Sequence, residues 1–285
     1  MDALISRRSL LATTTVIVGG IAATGLAACS ANPSIPQPSA SPTGPIKDQL
    51  DQVLQTISAG SDKFGVAITD LRSGKAYSFH GDYASQSASM AKPMIVAMAL
   101  RKAGGLLDAE KAELARKAIT ESDNDAASAL WTYAGYQGYT SLAADLGMTS
   151  THLDPNKADQ WSWTWTTPAD QVKLVAALSS GKTKALTPEQ CRFLWDLMGQ
   201  VIPDQTWGIG APKSADVGVH LKNGWVQFKS TDNLWAVNSM GQIDLKGTGL
   251  YQACVMTRDV DFPTGRELTS TVGTWIYRVL NSAPL

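Results

Sequence analysis

The residue pattern predicts an α+β fold: an antiparallel sheet built from both chain ends, flanked by terminal helices, with an all-helical subdomain inserted between the two groups of strands. Three observations carry this prediction. Strand-like runs lie near both ends of the 285-residue chain. The Ala-rich middle has helical periodicity almost throughout, and segments with apolar residues at helical spacing precede the first strands and follow the last. Such an arrangement leaves a cleft between the sheet layer and the helical block, where ligands commonly bind. With 44% hydrophobic and 17% charged residues, the chain can build a sizeable core. A net charge of -1 and no basic cluster supply no field for a phosphate backbone, so nucleic acid is not an expected partner. His80, His152, His220 and the three Cys are scattered without metal-ligand spacing, so no metal and no other cofactor is expected.

Residues 1–28 read as an export signal: Arg7-Arg8, then an uncharged run up to Ala28. Ser6-Arg7-Arg8-Ser9-Leu10-Leu11 resembles a twin-Arg signal, and Leu26-Ala27-Ala28-Cys29 resembles the lipobox that precedes a lipidated Cys. The competing reading is a retained membrane anchor, which the Thr, Ala and Gly content of the run makes weakly apolar. Residues 29–46, rich in Pro and Ser, read as a flexible tether. The chain is then expected outside the cytoplasm, held to the outer face of the cell membrane through Cys29.

The globular domain is expected over 47–285. Apolar residues at 46, 50, 53, 54 and 57 give a first helix that Gly60 ends, and Phe64–Leu71 with Ala76–His80 form a hairpin around a Gly turn. The helical subdomain spans about 89–212, interrupted by Gly104-Gly105, by 135–138 and by an irregular stretch at 149–167. Two of its helices start at Thr-Pro, with Pro in the first turn, where a missing N–H costs little. Strands are expected at Val217–Leu221, Leu234–Met240 and Leu250–Thr257, and a last helix over Thr264–Leu280. Cys191 and Cys254 fall in different layers, which favours two buried free thiols over the disulfide that an oxidising compartment would otherwise suggest.

Three short motifs carry chemistry. Ser89-Met90-Ala91-Lys92 opens an apolar helix, where residues three apart share a face, so the Lys92 amine can stand beside the Ser89 hydroxyl. A neutral amine can take the serine proton, and helix N-terminal N–H groups can hold an oxyanion. The pattern alone is weak, since Ser179 and Lys182 repeat it in a loop. Ser122-Asp123-Asn124 reads either as part of a site or as a helix cap. Lys222-Asn223-Gly224-Trp225 follows a strand; a Lys there can attract a carboxylate, and the Gly lets a ligand approach the backbone.

The order of these motifs, each in its expected local context, resembles the serine β-lactamase and penicillin-binding-protein superfamily. Thr166-Thr167-Pro168-Ala169-Asp170 is similar to the stretch that follows the omega loop of class A β-lactamases, and the nearest form is the compact class A-like serine hydrolases and lipoproteins of actinobacteria. The resemblance implies a β-lactamase-like fold with Ser89 as acylated nucleophile, Lys92 as its base and Ser122 as proton relay. It implies substrate contacts at Asn124, Lys222, Asn223, Gly224 and Trp225, with the backbone N–H groups of Ser89 and Trp225 as oxyanion hole. The expected ligand is a peptidoglycan stem peptide or a β-lactam.

The sequence also departs from that family. The stretch 149–167 has no Glu to activate a deacylating water; Asp154 and Asp159 are its only carboxylates. Asn223 replaces a hydroxyl residue, and Trp225-Val226 replaces small residues, which is expected to reshape the strand edge. Trp161, Trp163 and Trp165 alternate, giving one aromatic face if the segment is extended; packing onto the helical subdomain is the competing reading. The expectation is a serine hydrolase with weak or no β-lactamase turnover. The alternative is a catalytically inactive envelope binding or scaffolding lipoprotein of the same fold.

Overall fold

The computed structural model describes residues 35–228 and 234–285. The twin-Arg segment, the lipobox and Cys29 lie outside the described residues. Helix α1 (Ile46–Ser58) precedes strands β1 (Phe64–Asp70), β2 (Ala76–Phe79) and β3 (Ser85–Gln86). The helical block holds α2 (Lys92–Ala103), α3 (Ala109–Arg116), α4 (Asn124–Ala134) and α5 (Gly138–Asp145), then β4 (Trp165–Thr166), α6 (Pro168–Ser180) and α7 (Pro188–Met198). Strands β5 (Val217–Gln227), β6 (Trp235–Leu245) and β7 (Thr248–Thr257) follow, and α8 (Phe262–Ser282) closes the fold. The main sheet has the order β2-β1-β7-β6-β5, antiparallel throughout. It is therefore built from both chain ends, as expected.

Alternation in β7 shows how the two cores form. Tyr251, Ala253 and Val255 face α1 and α8, packing with Leu50, Leu54, Leu268 and Ile276. Cys254 and Met256 point the other way, into the cluster of the helical block with Met90, Met94 and Leu194. A strand with period-two side chains covered on both faces reads as a mostly apolar run, which Leu250–Met256 does except for buried Gln252. Cys191 and Cys254 are both buried free thiols.

Two expectations need correction. The Pro-rich stretch is packed from Ile35 onward: Ile35 is buried in the α1–α8 core, and Gln37 Oε1 accepts from Trp275 Nε1 at 2.9 Å. A Cβ on Gly60 would come within 2.3 Å of Pro36. One apolar side chain among prolines has no periodicity, so its docking was invisible in sequence. Second, β5 runs on through Gln227, so the Lys222–Trp225 motif lies inside a strand and not beyond its end. Asn and Gly are poor strand formers, but packing overrides that preference here.

The end of β1 is tied to the last helix by an ion pair whose carboxylate is buried. Asp70 is fully buried and accepts from Arg72 Nε and Nη2 at 3.2 and 2.9 Å and from Leu285 N at 2.7 Å. Arg72 Nη2 also donates to Leu280 O at 2.7 Å. Burial alone would push the Asp70 carboxyl up; the Arg72 guanidinium and the N–H groups of Leu285 and Arg72 outweigh it and hold the carboxyl below its ordinary value. Because the folded pKa is lowered, the stabilisation is complete above the ordinary carboxylate range and is lost as pH falls through the folded value. Asp70→Ala should cost about 1.5–3 kcal/mol in urea unfolding at pH 7 by removing the buried acceptor of the Arg72 and Leu285 donors, and the gap to the parent should shrink on acidification.

Candidate active site

Ser89 sits on a 3-10 turn, Ala88–Ala91, that leads into α2. The turn is fixed from behind: Ser87 N and Ser87 Oγ both donate to Thr164 O, at 2.7 and 2.9 Å. Ala88 before it has φ 48, a left-handed conformation that costs of order 1 kcal/mol for a residue with a Cβ. Ser89 itself is 9% exposed. Lys92, the first residue of α2, is fully buried, and Pro93 is tolerated in the first helical turn because no acceptor is lost there.

The Ser122–Asn124 tripeptide is both a cap and a site. A π-helical turn, Lys117–Glu121, ends at Ser122, which is left-handed with φ 59. Asp123 takes the capping role, its carboxylate accepting from Ala126 N at 2.7 Å. That leaves Ser122 and Asn124 free to turn toward Lys92. Lys92 Nζ donates to Ser122 O at 2.5 Å, to Asn124 Oδ1 at 2.8 Å and to Ser122 Oγ at 3.2 Å.

The third motif arrives from the sheet edge. Lys222 is fully buried, and its Nζ donates to Ser122 Oγ at 2.8 Å and to Asn223 O at 3.0 Å. Two residues on, a Cβ at Gly224 would lie 2.7–2.8 Å from Met90 N, Ser87 O and Ser89 N. The glycine therefore serves the close passage of β5 over the Ser89 turn, a different reason from the ligand approach expected in sequence. Val237 N donates to Thr257 Oγ1 and Val237 O accepts from it, so both groups face β7. Trp225, paired in register with Val237, accordingly turns its N–H to the free edge of β5.

Two expectations for this strand do not survive in side-chain terms. Asn223 and Trp225 alternate with Lys222 and Gly224, so their side chains leave on the opposite face. Asn223 is buried, with Nδ2 donating to Gln205 O at 2.8 Å and Trp207 O at 3.2 Å. The Trp225 ring packs 5.9 Å from both Trp207 and Phe262. Neither side chain lines the Ser89 turn, and Trp225 does not narrow it; only the Trp225 backbone N–H is directed to that edge.

The amines are tuned by burial. Desolvation pushes Lys92 down to about 7, against an opposing pull from Asp123. Lys222 is lowered well below its ordinary value, first by desolvation and then by the Lys92 charge. With both lysines donating, the two acceptor positions of Ser122 Oγ are filled, and its own proton is left to be given away. Among the described residues Ser89 Oγ has no hydrogen-bond partner.

The tryptophans of the 149–167 loop do not share one face, because the segment is not extended: Trp161–Trp163 is a 3-10 turn. Trp165 Nε1 donates to Asp154 Oδ2 at 3.0 Å, Lys157 Nζ lies over the Trp163 ring, and Trp161 Nε1 donates to Ser128 Oγ at 3.1 Å. Asp154 is thereby occupied, its carboxyl held low first by Trp165. The Trp161 ring centre is 5.0 Å from Lys92 Nζ, a site contact that alternation in the sequence did not single out.

A serine flanked by two buried lysines, between an antiparallel sheet and a helical block, defines a β-lactamase-like serine hydrolase superfamily. The family model for the β-lactamase enzyme family matches residues 107–280, and the chain belongs to that family. Solved structures share the fold: a class A β-lactamase from Bacteroides cellulosilyticus has a TM-score of 0.70 at 18% identity, covering 85% of this chain and 100% of that one. PBP-A gives 0.67 at 20% identity over 87% and 99%. A β-lactamase from Sphaerobacter thermophilus gives 0.63 at 20% over 80% and 96%. No curated protein sequence matches the chain.

A depressed lysine pKa has a stability signature. Between about 7 and its ordinary value, the unfolded chain binds the Lys92 proton and the folded chain does not, so stability rises with pH across that window. In urea unfolding between pH 7 and 9 the parent should gain on Lys92→Met by up to about 1.4 kcal/mol per pH unit. A gap independent of pH would contradict the assigned shift. Gly224→Ala should lower the melting temperature, because its Cβ meets backbone that cannot move aside.

Proposed function

We propose that this protein is an acyl-transferring serine hydrolase of the cell envelope, forming an ester at Ser89 with a peptidoglycan-type peptide or a β-lactam. The single observation that carries this reading is the meeting of Lys92 Nζ and Lys222 Nζ on Ser122 Oγ, beside a serine whose oxygen is unpartnered. Lys92, pushed down to about 7, is part neutral at physiological pH and takes the Ser89 proton as Oγ bonds to the acyl carbon. The N–H groups of Ser89 and Trp225 receive the oxyanion. Ser122 gives its proton to the leaving nitrogen and recovers one from Lys92, while the Lys222 charge draws the substrate carboxylate. Asn124 orients Lys92 and offers its amide to the substrate.

Hydrolysis of the ester is the slow step in this reading. The loop 149–167 contains no Glu, and Asp154 is engaged by Trp165, so the 10²–10⁴-fold that a positioned base contributes is missing. Efficient β-lactam turnover is not expected. The signal-like 1–28 segment and Cys29 support an extracytoplasmic lipoprotein, lipidated at Cys29 and held at the outer face of the membrane; globomycin sensitivity of its processing and the mass of the lipidated N-terminus test this. A second reading, an inactive envelope binding lipoprotein, is favoured by the low exposure of Ser89.

Incubation of the purified protein with a fluorescent penicillin, followed by intact mass, separates the two. The expected outcome is a persistent adduct on the parent, none on Ser89→Ala, and formation slowed by about 10²–10⁴-fold in Lys92→Ala. Formation should accelerate as pH rises through about 7, where Lys92 loses its proton. No adduct at saturating probe sinks the hydrolase reading.

A further inference from the structure

The loop 149–167 contains no Glu, yet one of its side chains reaches the Lys92 amine. Trp161 stands 5.0 Å from Lys92 Nζ and is held at both ends. Its indole N–H donates to Ser128 Oγ, one turn along α4 from Asn124. Its carbonyl accepts from Thr164 N at 3.3 Å and Thr164 Oγ1 at 2.9 Å. Thr164 in turn is bonded to Ser87, behind the nucleophile turn, and to the hydroxyl of buried Tyr139 at 3.3 Å. The ring is thus tied to α4 and, through Thr164, to the turn that carries Ser89.

We propose that Trp161 is a positioning residue that keeps hydrolytic water away from the Lys92 amine and so prolongs the life of the acyl-Ser89 ester. This rests on the reading that Ser89 is acylated. Hydrolysis requires the water oxygen to bond to the acyl carbon and the carbon–Oγ bond to break; one water proton ends on Ser89 Oγ, and the acid leaves with the water oxygen and the second proton. An indole face attracts a cation, but it has no lone pair to accept a proton from water and no room for that water beneath it. The charged groups that face Lys92 are Lys222 from β5 and Asp123 at the start of α4; neither comes from the loop. Among the described residues the loop brings the Trp161 indole, and no charged group, to that side of the amine.

The test compares Trp161→Ala with Trp161→Phe, which keeps an aryl face and loses only the Ser128 bond. With a fluorescent penicillin, the ratio of adduct loss to adduct formation in the Ala variant should rise about tenfold, equivalent to about 1.4 kcal/mol, and the Phe variant should stay near the parent. An unchanged ratio in the Ala variant, or equal ratios in Ala and Phe, overturns the proposal. A second readout needs no acyl-enzyme: brief acetic anhydride treatment of the ligand-free chains, with Lys92 acetylation read from peptide mass. Labelling should increase in the Ala variant and not in the Phe variant. If the parent forms no penicillin adduct, the hydrolase reading has failed by itself, and equal Lys92 labelling in parent and Ala variant then overturns the water-exclusion role separately.

Discussion

Lys92 and Lys222 approach from opposite sides of the seam between helical block and sheet, and both point Nζ at the Ser122 hydroxyl, at 3.2 and 2.8 Å. Burying two amines this close is costly: each loses hydration, and each raises the energy of the other when charged. The surrounding fold compensates with acceptors, Ser122 O and Asn124 Oδ1 for one amine and Asn223 O for the other. Supplying them requires the left-handed turn at Ser122 and a strand that carries Lys222 beneath it. Strain and burial are concentrated where a base of low pKa is useful.

The elements that present these groups hold one another in place. The 149–167 loop is tied to the nucleophile turn through Ser87 and Thr164, to α4 through the indoles of Trp131 and Trp161, and to α6 through Thr151 and Thr166. There Asp170 Oδ2 accepts from Ser150 N and Thr151 Oγ1, and Gln171 Nε2 donates to Thr166 Oγ1. Small buried hydroxyls do this work because each can donate and accept within a tight space. The loop, though it has no Glu, is thereby tied on three sides.

Fold similarity at 20% identity shows the fold and leaves the chemistry to the residues present. Here Lys92, Ser122, Asn124 and Lys222 meet in one buried cluster, while the 149–167 loop has no Glu and lays the Trp161 indole over Lys92.

Much of the fold was legible in sequence because it depends on local pattern. Strand-like runs at both ends, helical periods between them and Thr-Pro helix starts pointed to the α+β architecture, and the placing of Cys191 and Cys254 in different layers pointed to free thiols. The three motifs and their order also pointed to Ser89, Lys92, Ser122, Asn124 and Lys222, of which the last four meet by hydrogen bonds. What sequence could not decide depends on neighbours distant along the chain. Gly224 looked like a strand end, yet it continues the strand because Ser89 and Met90 pass where its side chain would be. Asn223 and Trp225 looked like ligand contacts, yet strand alternation in the actual register turns them away. Ile35 looked like part of a tether until α1 and α8 supplied a pocket for it, and Trp161 became part of the site only when a 3-10 turn swung its ring over Lys92. The sequence by itself determined which elements form and which residue types are available for catalysis; the tertiary structure decided which of those side chains share one desolvated space, because burial and close approach are properties of packed surfaces and not of any single segment.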